Sequence, residues 1–247
     1  MKFTLITICW NAEATIAKTF NSILKQNRLP DEYILIDGGS TDGTLSIIQD
    51  FKKNFIARGV NFIVEKQQRI PGEAGIPNAW NQAIRIATGD IIALLNADDW
   101  YKPETIQKVC LQFQTYSDSD AVIAPIAFAK GENIVRIFRP ASLSWLPVKM
   151  PWPHPGCFFT RRLYDRLGPY DTKYKISADY DFIWRCHKAN INFSILDEPL
   201  VFMELGGLAN QNRRLSRQET LQIARQHASS WNWLPWLAYA IRWMINR

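Results

Sequence analysis

The strongest constraint on this chain is an alternation that runs through roughly its first 100 residues. Short apolar runs with β-forming residues alternate with segments of helical spacing. Phe3 to Trp10 is almost wholly apolar, as a strand buried on both faces must be. Ala14 to Lys25 follows, with Ile16, Phe20, Ile23 and Leu24 on one helical face. Tyr33 to Asp37 is a second strand closed by Gly38 and Gly39, and Ser40 to Thr44 opens a helix to about Phe55. Asn61 to Glu65 is a third strand. Beyond the Gly- and Pro-rich stretch Ile70 to Pro77, a helix over Asn78 to Ala87 leads into the strand Asp90 to Leu95. A β-α-β-α-β-α-β order predicts an α/β fold: a mostly parallel sheet flanked by helices on both faces.

Such sheets bind ligands outside the carboxyl ends of their strands. Three polar signals fall there: Trp10-Asn11, Asp37-Gly38-Gly39 and Asp98-Asp99. The last is the most informative. Two adjacent carboxylates at the end of a buried strand repel each other and are costly to desolvate, unless a cation sits beside them. Mg²⁺ is typically held by one or two carboxylates plus substrate phosphates. The alternative is that Asp98 or Asp99 caps a helix beginning near Pro103. Asp37 likewise has two readings, a contact to a base or ribose and a plain turn paired with local amides. Trp10 could stack on a nucleobase or simply pack.

Hydrophobic residues make up 47% and charged residues 21% of the 247, which excludes a disordered chain and suits one large α/β domain or two small ones. A net charge of +6 favours anionic partners without choosing among nucleotide, nucleic acid and acidic lipid. The four cysteines (Cys9, Cys110, Cys157, Cys186) form no CxxC pair and read as small buried hydrophobes in a reducing compartment. The N-terminus is too short for a secretory apolar segment, and no apolar run is long enough to span a bilayer.

The second half is less regular. Ala121 to Ala129 reads as one strand, Pro140 to Pro155 as a loop or lid, Gly156 to Thr160 as a strand and Arg161 to Leu167 as a short helix. Ser177 to Asp181 leads into a helix to about Ala189, and Phe193 to Leu196 and Leu200 to Met203 are short strands. A helix from about Ser216 has Glu219 three residues on, the spacing of a capping box. Arg161-Arg162 and Arg213-Arg214 suit either phosphate or a solvated surface.

No GxGxxG, GxxxxGK[ST] or GxSxG occurs, which argues against a dinucleotide-binding Rossmann domain, a P-loop NTPase and an α/β-hydrolase. Paired acids without a phosphate-cradling loop suit a metal that neutralises a departing nucleoside diphosphate. Thr7-Ile-Cys-Trp-Asn11, Ile36-Asp-Gly-Gly-Ser-Thr-Asp-Gly-Thr44, Gly75 with Asn81, Ala87-Thr-Gly-Asp90 and Asn96-Ala-Asp-Asp99 come in the order and spacing of a known pattern. Together they resemble family 2 glycosyltransferases of the GT-A fold, in particular bacterial enzymes building exopolysaccharide, capsule or O-antigen repeat units. Ser177-Ala-Asp-Tyr-Asp-Phe-Ile-Trp-Arg185 is similar to that family's downstream acidic motif.

The resemblance covers roughly residues 1–205 and implies a role for each residue. Asp37 would contact the nucleobase, uracil, with Trp10 packed on it. Asp99 would be the main ligand of Mg²⁺ or Mn²⁺ on the diphosphate, and Asp98 would face the ribose or the metal. Glu73 would reach toward the donor. Asp179 would be the general base on the acceptor hydroxyl in an inverting displacement, with Asp181 its rival. His154, between two prolines, could complete the metal site, bind diphosphate, touch the acceptor or pack in its loop.

There are departures: Gly38 stands where a second acid is common, Glu73 where Asp is common, and Ala178 where the acidic motif usually has Glu. No QxxRW motif follows, which argues against a processive synthase. The expected division is a catalytic domain over 1–215, with a nucleotide-binding half (1–100) and an acceptor half (101–215), and a helical tail over 216–247. That tail carries Trp231, Trp233, Trp236 and Trp243, which suits either a membrane interface or packing on the domain. The implied partners are a nucleotide-sugar donor, a glycan or polyprenyl-diphosphate-linked acceptor and the cytoplasmic face of the inner membrane, with no nucleic acid. A catalytically inactive nucleotide-sugar-binding subunit is the rival reading. A nucleotidyltransferase is disfavoured because Thr7 to Ala14 has neither glycine nor a basic residue.

Overall fold

The computed structural model describes residues 1–131, 133–205 and 212–228, with Pro235, Leu237 and Ala240 beyond them. The first half follows the expected order: β1 (Phe3–Cys9), α1 (Ile16–Leu24), β2 (Glu32–Asp37), α2 (Thr44–Ala57), β3 (Asn61–Lys66), α3 (Gly75–Ile86) and β4 (Ile91–Leu94). β1 lies between β2 and β4, parallel to both, and β3 extends the parallel set beyond β2. The order in this seven-stranded sheet is β10-β6-β9-β4-β1-β2-β3, where β6 is Ala121–Ile123, β9 is Cys157–Thr160 and β10 is Phe193–Ile195. Only β9 runs against its neighbours, β4 and β6.

The period of two along each strand divides the core into two layers. Phe3 and Leu5 of β1, Tyr33 and Leu35 of β2, and Ile91 and Ala93 of β4 face one layer with Phe20, Ile48 and Phe55 from α1 and α2. The alternate residues Ile6, Ile34, Ile36, Ile92 and Leu94 face the other, with Trp80 and Ala83 of α3. A sheet buried on both sides explains why these strands read as continuous apolar runs. On the first face Phe55 stacks on Phe62 at 4.9 Å and meets Tyr33 edge-on at 5.2 Å.

The second half departs from expectation in three places. Ala121 to Ala129 is two strands: β6 stays in the large sheet, and β7 (Ile126–Lys130) joins a second sheet with β5 (Trp100–Tyr101), β8 (Asn133–Phe138) and β11 (Val201–Glu204), ordered β5-β11-β7-β8. Pro125 separates the two strands, and proline cannot donate to a ladder. Next, the helix after residue 101 is α4 (Thr105–Thr115), flanked by Glu104, so neither Asp98 nor Asp99 caps it. Finally, the last described helix, α7 (Arg213–His227), starts before Ser216, and the Glu219 side chain bonds residues 175–177 instead of closing a capping box. The division expected after residue 215 falls inside α7, whose Ile223 and Ala224 share a core layer with Ile183.

α5 (Arg161–Leu167) and α6 (Ala178–Lys188) form where expected. The 140–155 loop contains two short 3-10 turns and is anchored by the fully buried Trp152, whose Nε1 donates to Ala141 O at 3.1 Å. All four cysteines are buried and unpaired. Among the described residues no helix is long and apolar enough to cross a membrane. The tail tryptophans Trp231, Trp233, Trp236 and Trp243 lie outside the described residues.

Gly156 sits where the chain passes closest to the β6-to-β7 crossing: a Cβ there would be 2.4 Å from Ala124 O. Gly156→Ala is expected to cost about 1–3 kcal/mol through overpacking against backbone. Chemical denaturation checks this, and an unchanged midpoint would contradict the close approach.

Candidate active site at the carboxyl edge of the sheet

Because β1, β2 and β4 are parallel neighbours, the loops after Cys9, Asp37 and Leu94 leave the sheet on one edge. Cys9 and Asp37 are register partners, and Leu95 N donates to Ile6 O at 2.9 Å as β4 ends. Trp10 projects from this edge with 65% of its surface exposed. Asn11, in the left-handed region at φ 49°, knits its loop to the next: its Oδ1 accepts from Thr41 N at 2.9 Å.

Asp37 is buried and serves its own turn. One oxygen accepts from Gly39 N at 2.9 Å and Ser40 N at 3.1 Å, and the other from Ser40 Oγ at 2.6 Å. The local-turn reading is therefore met in full. Gly38, which follows Asp37, packs tightly. A Cβ there would be 3.2 Å from Trp10 Cβ, and Gly38 O accepts from Arg69 at 2.8 Å. Glu73 accepts from Asn78 Nδ2 at 2.8 Å, and with Gln67, Arg69 and Asn78 it lines a cavity of about 380 Å³. Glu73 and Trp10 therefore flank the same loop, through Arg69 and Gly38.

Two of the motifs that carried the resemblance are scaffolding. Thr88 N and Oγ1 donate to the buried Glu32 carboxylate at 2.8 and 2.9 Å, and Gly89 N donates to Thr4 Oγ1 at 3.0 Å. Asn81 exchanges two hydrogen bonds with the backbone of Tyr170, at 2.8 and 2.9 Å, which ties α3 to the segment leading into α6.

The acid pair divides sharply. Asp99 is 1% exposed, with one oxygen accepting from Asn96 Nδ2 at 3.1 Å and the other from Glu204 N at 3.3 Å. Burial, and after it the charge of Asp98, pushes its pKa well above the ordinary carboxylate value. Asp98 is half-buried, and burial and then the charge of Glu204 raise its pKa as well. Asp98 has no cationic partner among the described residues, whereas Glu204 has Lys18 at 3.5 Å. Burial disfavours the charged form of both acids, and an added cation would offset that. Among the described residues no three His, Cys, Asp or Glu side chains converge on one metal position. That donor set fits a hard divalent cation completed by phosphate oxygens and water, and does not form a closed protein cage.

His154 is held among aromatic rings. Its ring is buried, stacked on Trp80 at 4.5 Å and 24°, with Tyr170 edge-on at 6.2 Å. Burial holds its pKa down at about 4, so it is neutral at ordinary pH. The ring packs in its loop, which is one of the alternatives for this residue.

α6 brings the second pair of acids. Asp179 lies in its first turn, half-buried, with Oδ1 accepting from Tyr180 N at 2.8 Å. Burial raises its pKa to about 6. Its charge acts on the Cys157 thiol, at the start of β9. β9 runs antiparallel to β4 with Phe158 opposite Ala93, which puts Cys157 at the carboxyl end of β4, within reach of the Asp179 charge. Asp181 is different. Burial alone would raise its pKa, but His227 at 2.8 Å and Arg185 at 2.9 Å outweigh that and hold it down. It is locked between Arg185 and His227 and is not a free base.

The arginine pairs are structural or solvated. Arg161 reaches the carbonyls of Ala87 and Gly89, Arg162 reaches Asp120, and Arg213 and Arg214 are exposed. Sequence reasoning gave Asn96 no role of its own, though its bond to Asp99 is local, and passed over Glu204 and Arg69, which act through tertiary contacts without a local signature.

A profile described as glycosyl transferase family 2 matches residues 4–172. A PGL/p-HBAD biosynthesis glycosyltransferase of Mycobacterium tuberculosis is 29% identical over 219 residues, covering 84% of this chain and 79% of that protein. A poly(ribitol-phosphate) beta-glucosyltransferase of Bacillus spizizenii is 26% identical over 136 residues, 54% of this chain and 20% of its own. Among solved structures, S. aureus TarS 1-349 in complex with UDP-GlcNAc superposes with a TM-score of 0.72 at 21% identity, over 92% of this chain and 65% of that one. The mannosyltransferase PcManGT from Pyrobaculum calidifontis, in complex with GDP-Man and Mn²⁺, gives 0.68 at 18% identity, over 98% and 69%. With well over half its length matched by the family and its parallel sheet shared with these structures, the chain belongs to glycosyl transferase family 2 and has the GT-A fold.

Proposed function

We propose that the protein is an inverting, metal-dependent, non-processive transferase. It would move a hexosyl or N-acetylhexosaminyl group from a UDP-sugar to a glycan or polyprenyl-diphosphate-linked acceptor in bacterial surface polysaccharide or glycolipid synthesis. The observation that carries this reading is the contrast between the two acids of α6. Among the described residues Asp179 is paired with no cation and its pKa is raised to about 6, while Asp181 is locked in an ion pair. Environments that push two carboxylates apart mark the one available for proton transfer.

In this reading the acceptor oxygen forms a bond to the anomeric carbon as the bond to the diphosphate breaks on the opposite face. The acceptor proton passes to Asp179. A divalent cation, when bound, supplies charge neutralisation for the departing diphosphate. Mn²⁺ accompanies GDP-Man in the mannosyltransferase structure, and Mg²⁺ or Mn²⁺ suits the acids here. Asp98 would hold it. Asp99, the ligand favoured by the resemblance, has both oxygens occupied by Asn96 and Glu204 and is better suited to fixing the turn that presents Asp98. Trp10 would offer its exposed ring to the base, over the turn that Asp37 braces. Glu73, in the cavity beside that loop, would face the donor.

TarS was solved with UDP and UDP-GlcNAc, which supports a uridine donor, and the Bacillus relative is named as a poly(ribitol-phosphate) beta-glucosyltransferase, which supports a surface-polymer acceptor. A peripheral place on the cytoplasmic face of the inner membrane rests on the Trp-rich tail and belongs to the same proposal.

Three outcomes are expected. In a thermal-shift screen of UDP-glucose, UDP-GlcNAc, GDP-mannose and dTDP-glucose with Mn²⁺, a UDP-sugar should give the largest stabilisation; preference for GDP-mannose would overturn the base assignment. Without added cation, Asp98→Asn should melt at or above the wild type at pH 7, since it removes a charge that burial disfavours, yet lose the Mn²⁺-dependent shift. A full shift in that variant would remove Asp98 from the site. Asp179→Asn should slow transfer by about 10²–10⁴-fold. Wild-type transfer should rise with pH through about 6, because Asp179 must lose its proton before it can accept one. Activity unchanged down to pH 4.5, or full activity in Asp179→Asn, would sink the base assignment.

A further inference from the structure

Residues 171–177, which lead to Asp179, form turns and bends without regular structure, so the start of α6 must be fixed from outside. α7 does this. Glu219, midway along α7 and 6% exposed, turns its carboxylate away from its own helix. Oε1 accepts from Lys175 N at 2.8 Å, and Oε2 accepts from Ile176 N and Ser177 N, each at 2.9 Å. The first N–H groups of a helix and those just before it lack intrahelical partners, and Ser177 provides no side-chain cap of its own. A carboxylate from another helix fills that place with three charge-assisted bonds on consecutive amides. The same face of α7 touches the segment again: Gln226 Oε1 accepts from Tyr174 OH at 3.0 Å, and His227 Nε2 meets Asp181 at 2.8 Å.

This clamp differs from ordinary helix docking in where it acts. It holds the backbone two residues before Asp179, and Glu219 is the charged group that bears on the Asp179 carboxyl. The other titratable groups coupled to Asp179 are the Cys157 thiol on β9 and the Tyr170 phenol, both kept neutral by burial. A general base has to stand within about 3 Å of the proton it takes, and a displacement of about 1 Å can cost on the order of 100-fold in rate.

We propose that Glu219 is a positioning residue for the transfer reaction: by holding the amides of 175–177 it sets where the Asp179 carboxylate stands. The inference rests on Asp179 being the base, and it extends the site beyond residue 172, where the family match ends, to the last described helix.

The test uses the full chain, with Glu219→Gln, the control Gln226→Leu on the same helix, and three readouts. In Glu219→Gln the amides of 175–177 should exchange with solvent about tenfold faster or more as their acceptor charge is lost. The ¹³C carboxyl resonance of Asp179, assigned by its loss in Asp179→Asn, should titrate at lower pH than in the wild type, because a neighbouring negative charge is gone. With the UDP-sugar that stabilises the protein best, kcat should fall about tenfold while the donor KM stays within about twofold. Gln226→Leu, which loses contacts to Lys173 and Tyr174 but none to 175–177, should match the wild type in all three. An unmoved Asp179 titration with unchanged kcat in Glu219→Gln overturns the proposal. So does a Gln226→Leu that reproduces the losses, since α7 would then be general support. Should Glu219→Gln not fold, Glu219→Asp keeps the charge one methylene short: reduced kcat with little change in the Asp179 titration supports the proposal, and wild-type kcat overturns it. Full transfer by Asp179→Asn would instead remove the base assignment on which this rests, and is read separately.

Discussion

The pairing of β1 between β2 and β4, parallel on both sides, is the constraint from which the site follows. Parallel strands joined by right-handed crossovers put all their carboxyl ends on one edge. Trp10, the Asp37 turn and the Asp98–Asp99 turn therefore meet without any sequence proximity. The antiparallel strand β9 extends the arrangement. Lying against β4, it brings Cys157 to that edge, within reach of the Asp179 charge. Apolar burial on both faces of the sheet holds this geometry, through layers that include Phe3, Tyr33 and Phe55 on one side and Ile34, Trp80 and Phe182 on the other.

Environment then separates acids that composition alone treats alike. Asp37 is a buried carboxylate used by the donors of its own turn, and Glu32 one used by Thr4 and Thr88 from other elements, so both make turns and strand ends rigid. Asp181 is buried between Arg185 and His227 and belongs to the scaffold. Asp98 and Asp179 are half-buried acids whose charged form burial disfavours and which have no cationic partner among the described residues. Such groups change protonation or bind a cation readily, which is the property a site for diphosphate departure and proton transfer needs.

Much of this was legible in the sequence, for identifiable reasons. The parallel strands were visible because burial on both faces leaves no polar alternation, and α5 because Arg161 to Leu167 is bounded by a strand and by Gly168. What was not legible depended on tertiary partners. Ser216 and Glu219 have capping-box spacing, yet Glu219 finds three amides of another segment and the helix begins earlier. Ala121 to Ala129 is apolar throughout, and only Pro125 hinted that it serves two sheets. β5 has two residues and β8 is an exposed edge, so neither carries a burial pattern. His154 and Asp99 have the residue types of ligands, but stacking on Trp80 and the bonds from Asn96 and Glu204 decide where they sit.

The central claim is that Asp98 at the strand edge carries the cation that accompanies the donor diphosphate. Anomalous scattering from crystals grown with UDP and Mn²⁺ tests it directly. The account predicts a manganese peak within coordination distance of the Asp98 carboxylate, bridged to the diphosphate with Trp10 against the base. A diphosphate bound at this edge with manganese absent, or manganese held by other side chains away from Asp98, would contradict it.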